Sequence, residues 1–218
     1  IVETNTFGAS VIGMQEFDLP EDLVQEINLA AVRCARQAVE ECNRDLPGHP
    51  RFIAGSIGPT TKQMTISTDV DDASHRAVTF DEMAASYYGQ VQALVEAGVD
   101  LLLPETVIDT LNLKSCLFAI SKYFEDSGTR VPVIVSGTFN EAGATFVSGQ
   151  SVEAFWNSIS HFPLLAIGMN CALGPERMRP HIEELSQIAT TNISCHPNAG
   201  LPNEMGEYDL SPRRMAEL

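Results

Sequence analysis

Cys171 stands at the end of a short apolar run, Leu164-Leu165-Ala166-Ile167-Gly168-Met169, directly after Asn170 and ahead of Ala172-Leu173-Gly174-Pro175. A thiolate is a nucleophile and a soft metal ligand. An apolar run of this length suits a strand buried on both faces. Pro175 is well placed as the first residue of a helix, where its missing N–H is not needed. Where a strand hands over to a helix is where parallel α/β folds bind ligands. A cysteine taken by itself is more often a buried structural thiol. The polar Asn170 beside this one favours a functional role.

Other apolar runs end in the same way. Their ends read Glu3-Thr4-Asn5-Thr6, Gly58-Pro59-Thr60, Glu105-Thr106, Ser136-Gly137-Thr138 and His196-Pro197-Asn198. Together with Asn170-Cys171 they offer one thiolate, two carboxylates, several amides and hydroxyls, and few cations. Glu105 directly follows the buried run Val99-Asp100-Leu101-Leu102-Leu103-Pro104, so it needs a partner or a cationic ligand. A substrate ammonium would supply one, and a solvated loop glutamate is the alternative. For a metal, the nearest companions of Cys171 are Cys195 and His196. Adjacent residues on a strand point to opposite faces, so only one of the two can join it. A catalytic zinc usually takes three protein ligands and keeps one open position, and no CxxC or HxxxH is present, so the metal signal in these residues is weak. No Gly-x-Ser-x-Gly elbow supports serine hydrolase chemistry.

These groups have to be carried by regular elements. After the opening strand, Leu23, Ile27, Ala31, Cys34 and Ala38 recur at helical spacing. Leu46-Pro47-Gly48-His49-Pro50 breaks that helix, and Phe52 to Ile57 is the next strand. Residues 61–77 are polar and read as a long loop. Thr79 and Glu82 form a capping-box pattern ahead of Met83, Tyr87, Val91 and Leu94. Strand three is Val99 to Pro104, followed by a helix with Leu111, Ser115 and Phe118 on one side. Strand four is Val131 to Val135, and its helix carries Phe155, Ile159 and Phe162. The helix after the Cys171 strand carries Met178, Ile182, Leu185 and Ile188, and the last strand is Thr191 to Cys195. Strand and helix alternate throughout, which predicts a parallel α/β fold. Roughly six βα units are present, against the eight units and about 250 residues of a closed (β/α)8 TIM barrel. The alternative, an open doubly wound sheet, lacks a Gly-x-Gly-x-x-Gly after any strand. The chain opens at Ile1 on a strand end and stops at Leu218 in a helix just begun, so residues 1–218 read as one domain, a fragment of a larger enzyme.

Composition narrows the function classes. The 218 residues are 44% hydrophobic and carry a formal net charge of -16, which argues against binding nucleic acid or an anionic membrane through a basic surface. No run is apolar and long enough to span a bilayer. Five widely spaced cysteines do not form a secreted disulfide framework. Cys34, Cys42 and Cys116 fall in helical patterns as ordinary thiols. A reducing, cytoplasmic setting is the expectation.

The motifs resemble a known family. Ile1-Val2-Glu3-Thr4-Asn5-Thr6-Phe7, Ala54-Gly55-Ser56-Ile57-Gly58-Pro59-Thr60, Glu105 to Asn112, Ser136-Gly137-Thr138, Gly168 to Gly174 and His196 to Asn203 match, in order, the homocysteine S-methyltransferase family. Within it, Asn-Cys-Ala-Leu-Gly, His-Pro-Asn-Ala-Gly-Leu-Pro-Asn and Gly206-Glu207-Tyr208-Asp209 are most similar to the homocysteine-binding domain of cobalamin-dependent methionine synthases. The resemblance implies a (β/α)8 barrel that binds zinc through three cysteines. Cys171 is one of them, and a Cys-Cys pair beyond Leu218 supplies the others. It implies that Glu105 holds the homocysteine ammonium and that Asn170, with Ser136 and Asn5, frames the substrate. Cys195 is then a core thiol. Methyl transfer from methylcobalamin to the zinc-activated thiol would give methionine. Methylcobalamin and methyltetrahydrofolate would sit on cobalamin-binding and folate-binding domains of the same chain. A relative using betaine or S-methylmethionine, or a non-catalytic module that binds a thiol amino acid, are the alternatives.

Overall fold

The computed structural model of the chain describes residues 1–200, 204–206, 208 and 210–218. Its strands are parallel and lie in chain order. β1 (Val2–Glu3), β2 (Ile53–Ile57) and β3 (Leu101–Pro104) make one sheet; β4 (Ile134–Gly137), β5 (Ala166–Asn170) and β6 (Asn192–His196) make a second. Single bridges, Leu102 to Val133 and Val107 to Gly137, join the two. Pro104 explains the gap between those bridges. Alternate residues of a strand turn their N–H toward the same neighbour, and Leu102 donates to the Pro132 carbonyl at 2.9 Å. Residue 104 is next on that side, and a proline has no N–H to give. Among the described residues β1 and β6 do not pair, so the six strands form an open parallel arrangement, consistent with part of a (β/α)8 barrel and not with a closed one.

Helices α1 (Val11–Gln15), α2 (Leu23–Asp45), α3 (Phe80–Glu96), α4 (Thr110–Ser127), α5 (Val152–Ile159), α6 (Pro175–Ile188) and α7 (Pro212–Glu217) complete the fold. Local chemistry sets their starts. Thr79 and Glu82 close the capping box of α3, Asp109 accepts the Leu111 N–H to cap α4, and Pro175 sits in the first turn of α6. Gly128, at φ 70°, ends α4 in the left-handed conformation that glycine adopts without a Cβ penalty.

Period-two alternation divides each strand between two environments. Ile53, Ile57, Leu102, Val133, Ile167 and Met169 pack against the helices in the main core. Ala54, Leu101 and Leu103, with Ile134 against them, make a separate cluster on the opposite face. Ser56, Glu105, Ser136, Asn170 and His196 lie one step further along that second face, at the C-terminal ends of the strands.

Two helices are rotated from the expected faces. In α2 the buried stripe is Val24, Asn28, Ala31, Val32, Ala35 and Val39, while Cys34 and Ala38 are exposed. Of the expected stripe Leu23-Ile27-Ala31-Cys34-Ala38, Ala31 is buried and Leu23 and Ile27 are half-buried; the face that packs lies one position further round the helix. Asn28 marks the true face, because its amide donates to the carbonyls of Ala9 and Val24 and is therefore tolerated in the interior. In α4, Leu111 and Phe118 are exposed and Ser115 alone of the expected side is buried, with Leu113, Cys116, Leu117 and Ile120. Phe118 instead packs edge-on against Phe80 at the surface. β4 also begins later than the run Val131 to Val135 suggested, because Val133 is engaged in the single bridge to β3. No helix among the described residues is long and apolar enough to cross a membrane.

Candidate functional site

The strand ends converge on one cleft of about 370 Å³, lined by Glu3, Leu103, Glu105, Ser136, Asn170, Cys171, His196 and Asn198. Four of the expected site residues, Glu105, Ser136, Asn170 and Cys171, are brought together there. Asn5 is exposed and outside that lining. Its neighbours take the inward positions: Thr4 and Thr6 are buried and their hydroxyls lie 2.7 Å apart, with Thr6 Oγ1 donating to the Ser56 carbonyl. Glu3, the last residue of β1, lies level with Ala54 of β2 on the second face and lines the cleft, whereas Asn5 falls beyond the end of the strand.

Glu105 is held from both ends. Its N–H donates to the Ile57 carbonyl at 2.9 Å, extending the β2–β3 ladder past Pro104. Its carboxylate accepts a hydrogen bond from Ser56 Oγ at 2.5 Å. Partial burial raises the Glu105 pKa, the Ser56 hydroxyl lowers it, the charge of Glu3 raises it, and His196 lowers it. Burial prevails, so this carboxylate is ionised at a cost. No lysine or arginine lines the cleft among the described residues, which leaves that cost for a cationic ligand to offset.

The chain leaves β5 through a strained turn. Cys171 and Ala172 have φ of 62° and 55°. A left-handed conformation costs a residue with a Cβ about 1–2 kcal/mol each. Two backbone bonds fix the turn: the Cys171 N–H donates to the His196 carbonyl at 3.1 Å, and the Asn198 N–H donates to the Leu173 carbonyl at 2.9 Å. The effect is to present the Cys171 side chain in solvent at the cleft mouth rather than in the core. Strain of this kind concentrates at functional sites.

Cys195 points the other way. Its sulfur lies 3.6 Å from the Met178 sulfur of α6, and this partial burial of the thiol raises its pKa. It is not the core thiol expected: β6 is the edge of its sheet, and the residue is exposed. His196 faces the cleft, and the alternation rule alone could have singled it out once Cys195 was assigned to the helix side. Of the candidate metal donors among the described residues, Cys171 is the cysteine that lines the cleft, beside Glu3, Glu105 and His196. No group of three His, Cys, Asp or Glu side chains is placed to share an ion among the described residues. The residues present therefore do not complete a zinc site. Leu201, Pro202 and Asn203 of the last motif, and Glu207 and Asp209 of Gly206-Glu207-Tyr208-Asp209, lie outside the described residues.

Parallel α/β folds bind ligands outside the C-terminal ends of their strands, where this chain gathers a thiol and a partly buried carboxylate. The model of the homocysteine S-methyltransferase family matches residues 1–218, and the chain belongs to that family of methyltransferases. Solved structures agree on the fold. The metallated homocysteine methyltransferase MmuM from Escherichia coli superposes with a TM-score of 0.72 at 21% identity, over 98% of this chain and 70% of that one. Its oxidized form gives 0.71 at the same identity and coverage. The 6-hydroxypseudooxynicotine amine oxidase HisD from Pseudomonas geniculata N1 reaches 0.53 at 8% identity, over 91% of this chain and 36% of that one.

Proposed function

We propose that the chain binds homocysteine in the strand-end cleft and holds its thiol for methylation to methionine. The observation that carries this reading is Glu105: a carboxylate made costly by burial, facing a cleft that no lysine or arginine lines among the described residues, and sharing it with Cys171. Its role is to take the substrate ammonium, which orients the amino acid and leaves the thiol toward Cys171. The closed (β/α)8 barrel belongs to this reading, with the strands that close it lying outside residues 1–218. So does zinc, with Cys171 as one thiolate ligand and the others outside these residues; bound zinc supplies the thiolate form of a thiol near neutral pH. The methyl donor in this reading is methylcobalamin, remethylated from methyltetrahydrofolate on other domains of the same chain. The run Asn170-Cys171-Ala172-Leu173-Gly174 with His196-Pro197-Asn198-Ala199-Gly200 supports that donor over betaine or S-methylmethionine.

Calorimetric titration with homocysteine tests the reading directly. Binding that is lost when the amine is acetylated is the expected result, and equal binding of the acetylated compound would refute it. Affinity should also depend on pH in a defined direction. The ionised Glu105 binds the ammonium, and its pKa lies above the ordinary 4.5. Homocysteine affinity should therefore decline on acidification while the pH is still above 4.5. An affinity flat down to that pH would count against Glu105 as the ammonium partner.

Metal binding gives a separate prediction. With a single cysteine lining the cleft among the described residues, the 218-residue chain should bind zinc only weakly, and Cys171→Ala should weaken it further. Competition with a chromophoric chelator measures both. Tight stoichiometric zinc that survives Cys171→Ala would remove Cys171 from the metal assignment.

A further inference from the structure

The side chain of Asn170 is engaged almost entirely with the protein. Its Oδ1 accepts from Ser136 Oγ at 2.7 Å and from the Thr106 N–H at 3.1 Å. Its Nδ2 donates to Thr106 Oγ1 at 2.8 Å, and its own carbonyl accepts from Thr138 Oγ1 at 3.1 Å. The Thr106 N–H can only donate, so it fixes which end of the amide faces it. One residue at the end of β5 thus ties down the ends of β3 and β4, from elements 64 and 34 residues away in the chain.

The tie grips a strained point. Thr106 has φ 57°, left-handed for a β-branched residue, and it is the residue immediately after Glu105. Such a conformation persists only where surrounding bonds over-determine it. Both the N–H and the hydroxyl of Thr106 are held by the same Asn170 amide. On its other side, Glu105 is fixed by the Ile57 carbonyl and Ser56 Oγ.

We propose that Asn170 is a positioning residue: it locks the left-handed turn at Thr106 and so aims the Glu105 carboxylate into the cleft, without itself holding the substrate. This rests on Glu105 as the ammonium partner. A charged hydrogen bond depends on distance and angle, so releasing the turn loses the ammonium contact selectively. A merely structural asparagine would lower affinity for every ligand of the cleft alike.

The test uses homocysteine and its deamino analogue, titrated calorimetrically against the wild type, Asn170→Ala, Glu105→Gln and the double variant. In the wild type homocysteine should bind more tightly than the deamino analogue. Asn170→Ala should reduce that preference by roughly tenfold or more, as Glu105→Gln does. The double variant should lose no more than Glu105→Gln alone, the mark of two residues acting through one contact. A folded Asn170→Ala protein that keeps the wild-type preference overturns the proposal. If Asn170→Ala does not fold, Thr106→Val serves instead, since valine keeps the β-branched strain of the turn but removes the hydroxyl that Asn170 holds. It should show the same selective loss, and an unchanged preference overturns the proposal. A wild type that binds both ligands equally refutes the ammonium role of Glu105 itself, which separates that failure from this one.

Discussion

Glu105→Gln should weaken homocysteine binding by about 1.5–3 kcal/mol, the worth of a hydrogen bond to a charged group, while leaving the protein folded and more stable at neutral pH. The two effects come from one cause. Glutamine keeps an oxygen that accepts the Ser56 hydroxyl, so the packing at the end of β3 survives. It removes the ionised carboxylate that burial penalises. For a carboxylate whose pKa is raised by folding, the native state is favoured by this group below the unfolded value near 4.5, and that advantage is lost as pH rises through the raised folded value. The variant should therefore melt like the wild type in acid and above it at neutral pH. Any zinc bound through Cys171 should be unaffected, because Glu105 is not a ligand in this reading. Thermal melts at two pH values, together with homocysteine titration, check both halves. A variant that binds homocysteine normally, or melts lower at neutral pH, would contradict the account of this residue.

Gly168→Ala should cost on the order of 3 kcal/mol, the upper range for overpacking a filled interior. A Cβ at position 168 would fall on the carbonyl oxygen and hydroxyl of Ser194, its register partner on β6. The hydroxyl can rotate away, but the carbonyl is backbone of the adjacent strand and cannot yield without parting β5 from β6. At roughly 2–4 °C per kcal/mol for a chain of this size, the melting temperature should fall by about 6–12 °C. Gly55→Ala is the control, because its Cβ would meet only side-chain atoms of Leu94, Val99 and Leu102 at 3.1–3.4 Å. Parting β6 from β5 would also release the Cys171 N–H from the His196 carbonyl, so the cleft should lose definition along with stability. Equal melting temperatures for the two alanine variants would show that the close approach at Gly168 does not limit the fold.

Much of this architecture is written in the local chemistry of the chain. The alternation of apolar runs and amphipathic stretches fixes a parallel α/β fold, since parallel strands need crossovers and helices supply them. Thr79 with Glu82 specifies the start of α3, and Pro175 that of α6, because capping depends only on residues within one turn. The same logic puts Glu105, Ser136 and Asn170-Cys171 at the ligand end of their strands and on a common cleft.

Tertiary structure decided the rest. Helical periodicity cannot choose between stripes one residue apart, so the packing of α2 on Asn28 and of α4 on Leu113 and Cys116 had to come from the neighbours each helix meets. β1 ends at Glu3, on the cleft side, and the chain beyond it leaves Asn5 exposed outside the lining, while the edge position of β6 left Cys195 exposed. Above all, the list of polar residues at the strand ends did not show which are engaged with each other and which are left for a ligand. Asn170 is held by Ser136 and Thr106 across 34 and 64 residues of chain, whereas Glu105 keeps a partly desolvated charge facing the cleft. That division depends on which atoms come within about 3 Å after folding, and no local pattern in the amino-acid sequence encodes it.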